Sequence, residues 1–398
     1  MRPIKHLFMI IILTIFLVLG MNLKAHAQEI MGPSSAFDWN NWKPPKYIPD
    51  WKGIPGELQP PFPGVTPPPT EPVRWSAEWE DQEGVLVAWP LYWLAVESAY
   101  CAMVDELQDV GTVYLLYNNE VSKMRITEKL NSCGVPLENI EWLNILYNSN
   151  WTRDYGPESI FGQESDDWGI VDNVCLYGRK DNNVNPGLES LWGMDYYSSP
   201  IVTEGGNLSP DGMGKLFCTS WIRRENFFMG EEELRQTLND YYNVELTILP
   251  LPPISPHIDM CAKLVNPETW IIGEWPSDDP NTPYMDRLVA ILESMTASTG
   301  NPYTIYRIQQ PKRLPSGYWR TYTNAYMQNG KVLVPTFGVK QDKAALAVFQ
   351  QALPGWEIVG IDCTGFDGSG GAIHCSAHGI AHHEEVSFLR SQLSAESN

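Results

Sequence analysis

The feature that most constrains the fold is a regular alternation of short apolar strands with amphipathic helices, which starts near Val73. Apolar residues at a spacing of two predict strands, and apolar residues at a spacing of three to four predict helices. The first part of the alternation predicts strands and helices at Val85–Trp89, Leu94–Leu107, Val113–Leu116, Ser122–Cys133 and Ile140–Leu143. The later part predicts helices at Glu231–Tyr242, Tyr284–Met295 and Asp342–Leu353, each followed by a β-rich stretch, at Glu245–Leu249, Tyr303–Ile308 and Glu357–Ile361. The pattern predicts a mixed α/β fold.

The composition is that of a globular chain with a large core, because 43% of the residues are hydrophobic and 12% are aromatic. This length suffices for one large domain or two ordinary ones. The formal charge of −21 repels nucleic acid and anionic membranes and attracts cationic ligands. We therefore expect no nucleic-acid partner. The charge permits a cationic substrate but equally well serves solubility alone.

The amino terminus has the pattern of an export signal. A basic start and a short apolar run precede Ala25-His26-Ala27, which is a small-x-small cleavage site. We expect residues 1–27 to be removed after Ala27 and the protein to be secreted or periplasmic. No later stretch is long and apolar enough to span a bilayer, so we expect no membrane span in the mature protein.

The remaining chain divides by composition. Residues 28–72 are crowded with prolines, which favours a linker or a strap lying over the surface. Residues 73–390 form the expected catalytic domain, and residues 391–398 form a short tail. Seven cysteines are too few for a disulfide scaffold, and the odd number leaves at least one thiol unpaired. The sequence does not specify the pairing.

Three polar clusters carry the candidate chemistry. They are Trp151–Pro157, Pro256–Met260 and Gly370–Cys375, and together they supply a thiol, an imidazole and two carboxylates. These groups suit attack on a cationic planar carbon, which needs a nucleophile, an acid and base, and anions that hold the cation. Glycine pairs in Glu204-Gly205-Gly206-Asn207 and in Gly370-Gly371 suggest a faint internal repeat.

Each cluster also has an ordinary structural interpretation. His257 and Asp259 share a face if the segment is extended, but they could equally form a structural pair. Asp154 could pair with its neighbour Arg153 at the surface. Cys375 could be a buried, inert thiol, and on a strand the adjacent His374 would face away from it.

Metal and cofactor patterns are weak. His378, His382 and His383 lie close together, but they lack a His-Glu-x-x-His pattern. Gly212-x-Gly214 lacks the third glycine of a dinucleotide fingerprint, and Cys375 is too late in the chain for a papain-like protease. We therefore expect neither a metal nor a cofactor.

Taken together, the clusters resemble the Porphyromonas-type peptidylarginine deiminases and the related agmatine deiminases of the guanidine-modifying superfamily. The resemblance extends over nearly the whole domain and includes Ala77-Glu78-Trp79-Glu80, Val87-Ala88-Trp89-Pro90, Glu204–Asn207, Tyr322-Thr323-Asn324 and Val334–Gly338.

That resemblance implies a pentein-type five-bladed α/β propeller of pseudo-repeated strand-strand-helix-strand units around a central pocket. It implies Cys375 as the nucleophile, His257 as the general acid and base, and Asp154 with Asp259 as a clamp for the guanidinium group. It also implies a substrate-binding pocket shaped by Trp151, Gly205, Gly206 and Asn324.

The resemblance leaves the substrate open between peptidylarginine and agmatine. Expected export favours arginine-containing peptides or proteins, converted to citrulline and ammonia, with agmatine as the alternative. The peptidylarginine branch carries an arginine pair that grips the carboxylate of a terminal arginine, and Arg179 with Lys180 stands near that place. A non-catalytic protein that binds arginine peptides is a further alternative, and the sequence does not specify an oligomeric state.

Overall fold

The computed structural model describes residues 64–175, 180–315, 317–367 and 369–383. All of these residues belong to one compact unit. The expected export signal at 1–27, most of the expected strap at 28–72 and the tail at 391–398 lie outside the described residues, as does Arg179.

The strands and helices alternate along the described chain. The strands are β1 (Val73–Trp75), β2 (Gln82–Ala88), β3 (Thr112–Leu116), β4 (Ile140–Leu143), β5 (Glu158–Gly162), β6 (Trp168–Val174), β7 (Asp195–Val202), β8 (Ser209–Pro210), β9 (Lys215–Thr219), β10 (Glu245–Leu249), β11 (Ala262–Asn266), β12 (Thr269–Glu274), β13 (Thr304–Gln309), β14 (Tyr326–Gln328), β15 (Lys331–Thr336), β16 (Glu357–Asp362) and β17 (His378–Ala381). The α-helices are α1 (Glu97–Gln108), α2 (Glu120–Cys133), α3 (Thr152–Tyr155), α4 (Val184–Trp192), α5 (Ile222–Glu225), α6 (Glu231–Tyr242), α7 (Thr282–Glu293) and α8 (Asp342–Ala352).

Within the described part of the chain, the strands form five separate sheets. Their strand orders are β17-β2-β3-β4, β1-β5-β6-β7, β10-β9-β8, β11-β12-β13 and β14-β15-β16. Each sheet contains an antiparallel pair, followed by a helical crossover to a parallel third strand. A parallel connection requires such a crossover. The expected mixed α/β class and the strand-strand-helix-strand order are therefore both present.

Two distant parts of the chain meet in the sheet that contains β2. Strand β17 pairs with β2 in antiparallel register, with His378 opposite Leu86. The last described strand thus completes the sheet that contains one of the first strands, which brings the segment around Cys375 back to the beginning of the domain.

Local sequence chemistry accounts for individual elements. Helix α2 begins with a capping box. The Asn119 side chain accepts a hydrogen bond from the Ser122 backbone N–H, and the Ser122 side chain accepts one from the Asn119 backbone N–H. It ends at Gly134, which adopts the left-handed conformation with φ of 77°. Strand β3 is buried along its full length because it is central in a parallel arrangement covered by helices.

The predicted elements lie close to the observed ones. Helix α6 and strand β10 have the predicted bounds, whereas α7 starts and ends two residues earlier than the interval Tyr284–Met295 suggests. The predicted helix at Leu94–Leu107 is divided into a 3₁₀ turn at Leu94–Val96 and α1, a common way for a helix to begin. Among the helices of the described ranges, none combines the length and apolar character needed to cross a bilayer.

The structure also resolves the cysteine pairing that the sequence left open. Cys101 in α1 and Cys133 in α2 form a disulfide that links the two helices. The other five cysteines, Cys175, Cys218, Cys261, Cys363 and Cys375, lie outside this bond and are buried.

Candidate active site

The candidate site is built from the turns that precede the first strand of each antiparallel pair. The α3 turn leads into β5, and short 3₁₀ turns at Gly205–Asn207, Ile258–Met260 and His374–Ser376 lead into β8, β11 and β17. Asn324 precedes β14 in the same way. The five sheets therefore each contribute one short segment, which explains how residues from 154 to 375 meet at one place.

Cys375 is a buried thiol held by Asn324. The Asn324 Nδ2 donates to Cys375 Sγ at 3.1 Å, and its Oδ1 accepts from the backbone N–H of Ala372 at 2.9 Å. Burial raises the pKa of Cys375 well above its ordinary value, and the negative charges of Asp259 and Asp154 raise it further. The thiol therefore needs a nearby positive charge to ionise.

The glycine at 371 permits the close approach of an aromatic ring to this thiol. A Cβ atom at Gly371 would lie 2.9 Å from Cys375 Sγ and 3.3 Å from the Trp151 ring. The Trp151 ring lies edge-on to the Trp93 ring, with centroids 5.9 Å apart, and tilted to the Phe366 ring, with centroids 6.1 Å apart. This aromatic wall suits the aliphatic stem of a substrate.

His257 lies between two carboxylates. Its Nε2 is 2.5 Å from Glu204 Oε2, and its Nδ1 is 3.7 Å from Asp154 Oδ1. Burial by itself lowers the pKa of His257, but the charges of Asp154 and Glu204 outweigh it and raise the pKa to about 10. At neutral pH the ring is an imidazolium and can give up a proton.

The glycine pair at 205 and 206 makes room for that arrangement. A Cβ atom at Gly206 would lie 2.6 Å from His257 Nδ1 and 3.0 Å from Asp154 Oδ1, so a larger residue would displace both groups. Gly205 lies against the backbone carbonyl of Arg153. Both glycines thus line the same site as His257.

Two carboxylate oxygens in the site have no hydrogen-bond partner in the described structure. They are Oδ1 of Asp154 and Oδ1 of Asp259, and both are buried. Burial raises the pKa of Asp154 to about 8. The charge of His257 opposes this rise, and the charges of Glu204 and Asp259 add to it. Although burial alone would raise the pKa of Asp259, the hydrogen bond and charge of His374 lower it. In the unoccupied site, burial therefore favours the protonated form of Asp154, whereas Asp259 stays ionised.

Two site residues were missed by the sequence analysis. Glu204 was named in the glycine repeat and in the family resemblance without a role in the site, yet it contacts His257 directly. His374 was expected to face away from the site, but residues 374–376 form a 3₁₀ turn, and His374 Nδ1 lies 2.8 Å from Asp259 Oδ2. The glycines before His374 argued against a regular strand and could have corrected that expectation.

Arg153 also differs from the sequence-based alternative, in which it paired with Asp154 at the surface. It is buried, and its Nη2 donates to Glu78 Oε2 at 3.0 Å. His257 and Asp259 likewise do not share a strand face, because His257 precedes a 3₁₀ turn that contains Asp259.

The histidines considered for metal binding have other contacts. His378 Nε2 bonds to the carbonyl of Pro157 at 2.9 Å, and His382 Nδ1 bonds to Glu83 at 2.9 Å. Within the described residues, the one group spaced to hold a metal is Asp154, Glu204 and His257.

Gly371 and Ala372, which precede Cys375 in the chain, form part of the wall of a small cavity. The aromatic residues Trp319, Phe337 and Phe366 also line it. Arg320 and Asp367 also line this cavity and form an ion pair in which Nε and Oδ1 are 2.9 Å apart.

Comparison with known proteins places this geometry in context. Residues 74–380 match the family model described as Porphyromonas-type peptidyl-arginine deiminase. A Legionella pneumophila (strain Paris) protein, provisionally named an agmatine deiminase, is 26% identical over 331 residues that cover 75% of this chain and 92% of that protein.

Solved structures have the same fold. The agmatine deiminase of Enterococcus faecalis aligns with a TM-score of 0.69 at 21% identity, covering 79% of this chain and 99% of that one. The Campylobacter jejuni agmatine deiminase aligns with a TM-score of 0.67 at 20% identity, covering 78% and 96%. At these identities the likeness establishes the pentein α/β fold.

Proposed function

The chain belongs to the Porphyromonas-type peptidyl-arginine deiminase family, and from that premise we propose that it hydrolyses agmatine to N-carbamoylputrescine and ammonia. The family places it among the hydrolases that act on the C–N bonds of guanidino groups. The proposal assigns the covalent chemistry to Cys375 and the proton transfers to His257.

The observation that carries the proposal is a pair of buried carboxylate oxygens beside a buried thiol. They are Oδ1 of Asp154 and Oδ1 of Asp259, and neither has a hydrogen-bond partner in the described structure. A buried carboxylate oxygen without a donor is costly, and a planar cation with several N–H groups satisfies it. A guanidinium group has this shape and charge. Bound between the two carboxylates, it presents its electrophilic carbon to Cys375.

The steps follow from these positions. The bound cation and the His257 imidazolium favour ionisation of Cys375, whose proton passes to solvent, and the thiolate adds to the guanidinium carbon. His257 gives its proton to the departing amino group, which leaves as ammonia, and a thiouronium remains on Cys375. The neutral His257 then takes a proton from water, and the hydroxide adds to the same carbon. The C–S bond breaks as the new hydroxyl group gives its proton to the departing sulfur, which frees the ureido product and restores the Cys375 thiol. Glu204 holds the ring through this cycle at 2.5 Å.

Agmatine is favoured over peptidylarginine by the comparisons, because the relative and the solved structures described above are named as agmatine deiminases. The preference for peptides expected from the sequence therefore becomes the second candidate.

Architecture and location form part of the same proposal. The five sheets, each with a strand-strand-helix-strand unit, support a five-bladed propeller whose central pocket is the site. The Cys101–Cys133 disulfide supports an oxidising, exported location, because such bonds are uncommon in reducing compartments.

Steady-state kinetics with three substrates tests the function. Agmatine, a peptide ending in arginine and the same peptide amidated are compared by formation of the ureido product. We expect agmatine to have the highest kcat/KM. A higher kcat/KM for the peptide ending in arginine would make peptidylarginine the substrate, and no ureido product from any of them would reject the proposed function.

Substrate binding is expected to release about one proton at pH 7, because Asp154 has a pKa of about 8 in the unoccupied site and must ionise to hold the cation. The direction of the pH dependence follows from this: the affinity for agmatine rises with pH up to about 8 and then levels off. Calorimetry of agmatine binding to Cys375→Ala, in buffers of different ionisation enthalpy, measures the release. The same experiment with Asp154→Asn added should show no release. Equal affinity at pH 6 and pH 9 would contradict the assignment.

A further inference from the structure

The Glu78 carboxylate forms hydrogen bonds with residues from several of the sheets that contribute to the site. Glu78 lies in the segment between β1 and β2, and its side chain is largely buried. Its Oε1 accepts from Lys263 Nζ at 2.6 Å and from the Met327 backbone N–H at 2.9 Å. Its Oε2 accepts from Arg153 Nη2 at 3.0 Å and contacts His374 Nε2 at 2.7 Å.

These contacts keep Glu78 ionised. Burial by itself would raise its pKa, but the charges of Lys263, His374 and Arg153 lower it well below the ordinary value. A fixed carboxylate at this point gives the His374 ring a strong acceptor on the side that faces away from Asp259.

The His374 ring connects Glu78 to the guanidinium clamp. Its Nδ1 lies 2.8 Å from Asp259 Oδ2, while Asn324 Nδ2 donates to the same oxygen at 2.9 Å. Two donors on Oδ2 fix the rotation of the Asp259 carboxylate. The other oxygen, Oδ1, keeps no partner in the described structure and is available to a ligand.

We propose that Glu78 is a positioning residue for guanidinium hydrolysis: it fixes His374, which in turn fixes the carboxylate of Asp259 so that Oδ1 faces the substrate. The proposal rests on the function proposed above. Glu78 contacts neither substrate nor thiol and acts through His374 alone.

A purely structural role would also account for a buried carboxylate with three cationic neighbours. The two roles differ in their consequences. A structural role changes the free energy of unfolding, whereas a positioning role changes kcat in the folded protein. Loosening of Asp259 affects the transition state, which needs an aligned clamp, more than it affects loose binding of the cation.

The variant Glu78→Gln tests the proposal, with Glu80→Gln as its matched control. Glu80 lies two residues away and pairs with Arg74 outside the site at 2.5 Å. We expect kcat to fall by about 100-fold in Glu78→Gln, with KM changed by less than about threefold. Glu80→Gln should keep the wild-type kcat. A wild-type kcat in folded Glu78→Gln, or a loss confined to KM, would overturn the proposal.

His374 variants keep the test decisive if Glu78→Gln does not fold. We expect His374→Ala to lose about 100-fold in kcat and His374→Asn to recover part of it, because asparagine can present a donor near the position of Nδ1. If Glu78 acts through His374, the two losses of kcat should not add. The double variant Glu78→Gln/His374→Asn should then lose no more kcat than the less active of its two single variants. Additive losses, or wild-type kcat in His374→Ala, would contradict the relay.

A crystal structure of Glu78→Gln or His374→Ala tests positioning without turnover. We expect the Asp259 carboxylate to rotate or to lose its single orientation. An unchanged Asp259, still bonded through Oδ2 to Asn324, would overturn the proposal even if the wild-type chain deiminated none of the substrates. Absence of wild-type turnover would by itself reject only the proposed function.

Discussion

Cys375→Ala is expected to lower kcat for agmatine by about 10⁴-fold or more while leaving the affinity for agmatine within a few-fold of the wild type. The change removes the nucleophile, and without it no covalent intermediate forms. It leaves Asp154 and Asp259 in place, and these are the two carboxylates proposed to hold the cation. Ureido product formation measures the first effect, and calorimetry measures the second.

Cys363→Ala is the matched control, because Cys363 is also a free, buried thiol whose pKa burial raises. It lies at the end of β16 and contributes nothing to the proposed chemistry, so its kcat should equal that of the wild type. Alkylation provides a second check: loss of activity should follow modification of Cys375, and agmatine should protect it. Appreciable turnover by Cys375→Ala would remove the thiol from the mechanism.

Asp154→Asn and Asp259→Asn are each expected to lower kcat/KM by about 10²- to 10⁴-fold. Each replaces a charged acceptor with a neutral amide and so removes one charge-assisted contact with the reacting cation. Asp259→Asn also disturbs the bonds that Oδ2 makes with Asn324 and His374. Its loss should therefore be the larger of the two.

Asp172→Asn controls for the removal of a buried carboxylate. Asp172 accepts from Asn185 and Tyr196, and burial raises its pKa to about 6, but it lies outside the candidate site. The folded fraction of the Asp172→Asn variant should have the wild-type kcat. If Asp154→Asn or Asp259→Asn behaved like this control, that residue would not belong to the clamp.

The sequence predicted the local elements well because they depend on neighbouring residues. Helix α6 shows the expected spacing of apolar residues, and α2 shows its cap in Asn119, Ser122 and Gly134. The polar clusters were also visible, since Cys375, His257 and the two aspartates are unusual side chains in tight turns. Their meeting at one site was expected from the family resemblance, because no spacing along the chain implied it.

The sequence analysis gave the wrong side-chain orientation where that orientation depends on the type of turn. His374 was expected to point away from Cys375 because alternation on a strand puts neighbours on opposite faces. In the 3₁₀ turn that rule does not apply, and the ring reaches Asp259 instead. The alternative in which Arg153 pairs with Asp154 at the surface was wrong for a related reason, since the carboxylate nearest in the chain is not the one that Arg153 contacts in space.

By itself, the sequence determined the α/β class, the approximate bounds of the eleven elements that it predicted, and the chemical groups available for catalysis, because local periodicity and side-chain identity are properties of short segments. Only the tertiary structure decided how those groups are connected. Glu78 and His374 are 296 residues apart in the chain, yet they are bonded, because β17 pairs with β2 and returns the last turn to the start of the domain. The Cys101–Cys133 bond and the raised pKa of Asp154 arise in the same way. Contacts, burial and pKa values at such sites depend on which segments pack together, and no short stretch of sequence contains that information.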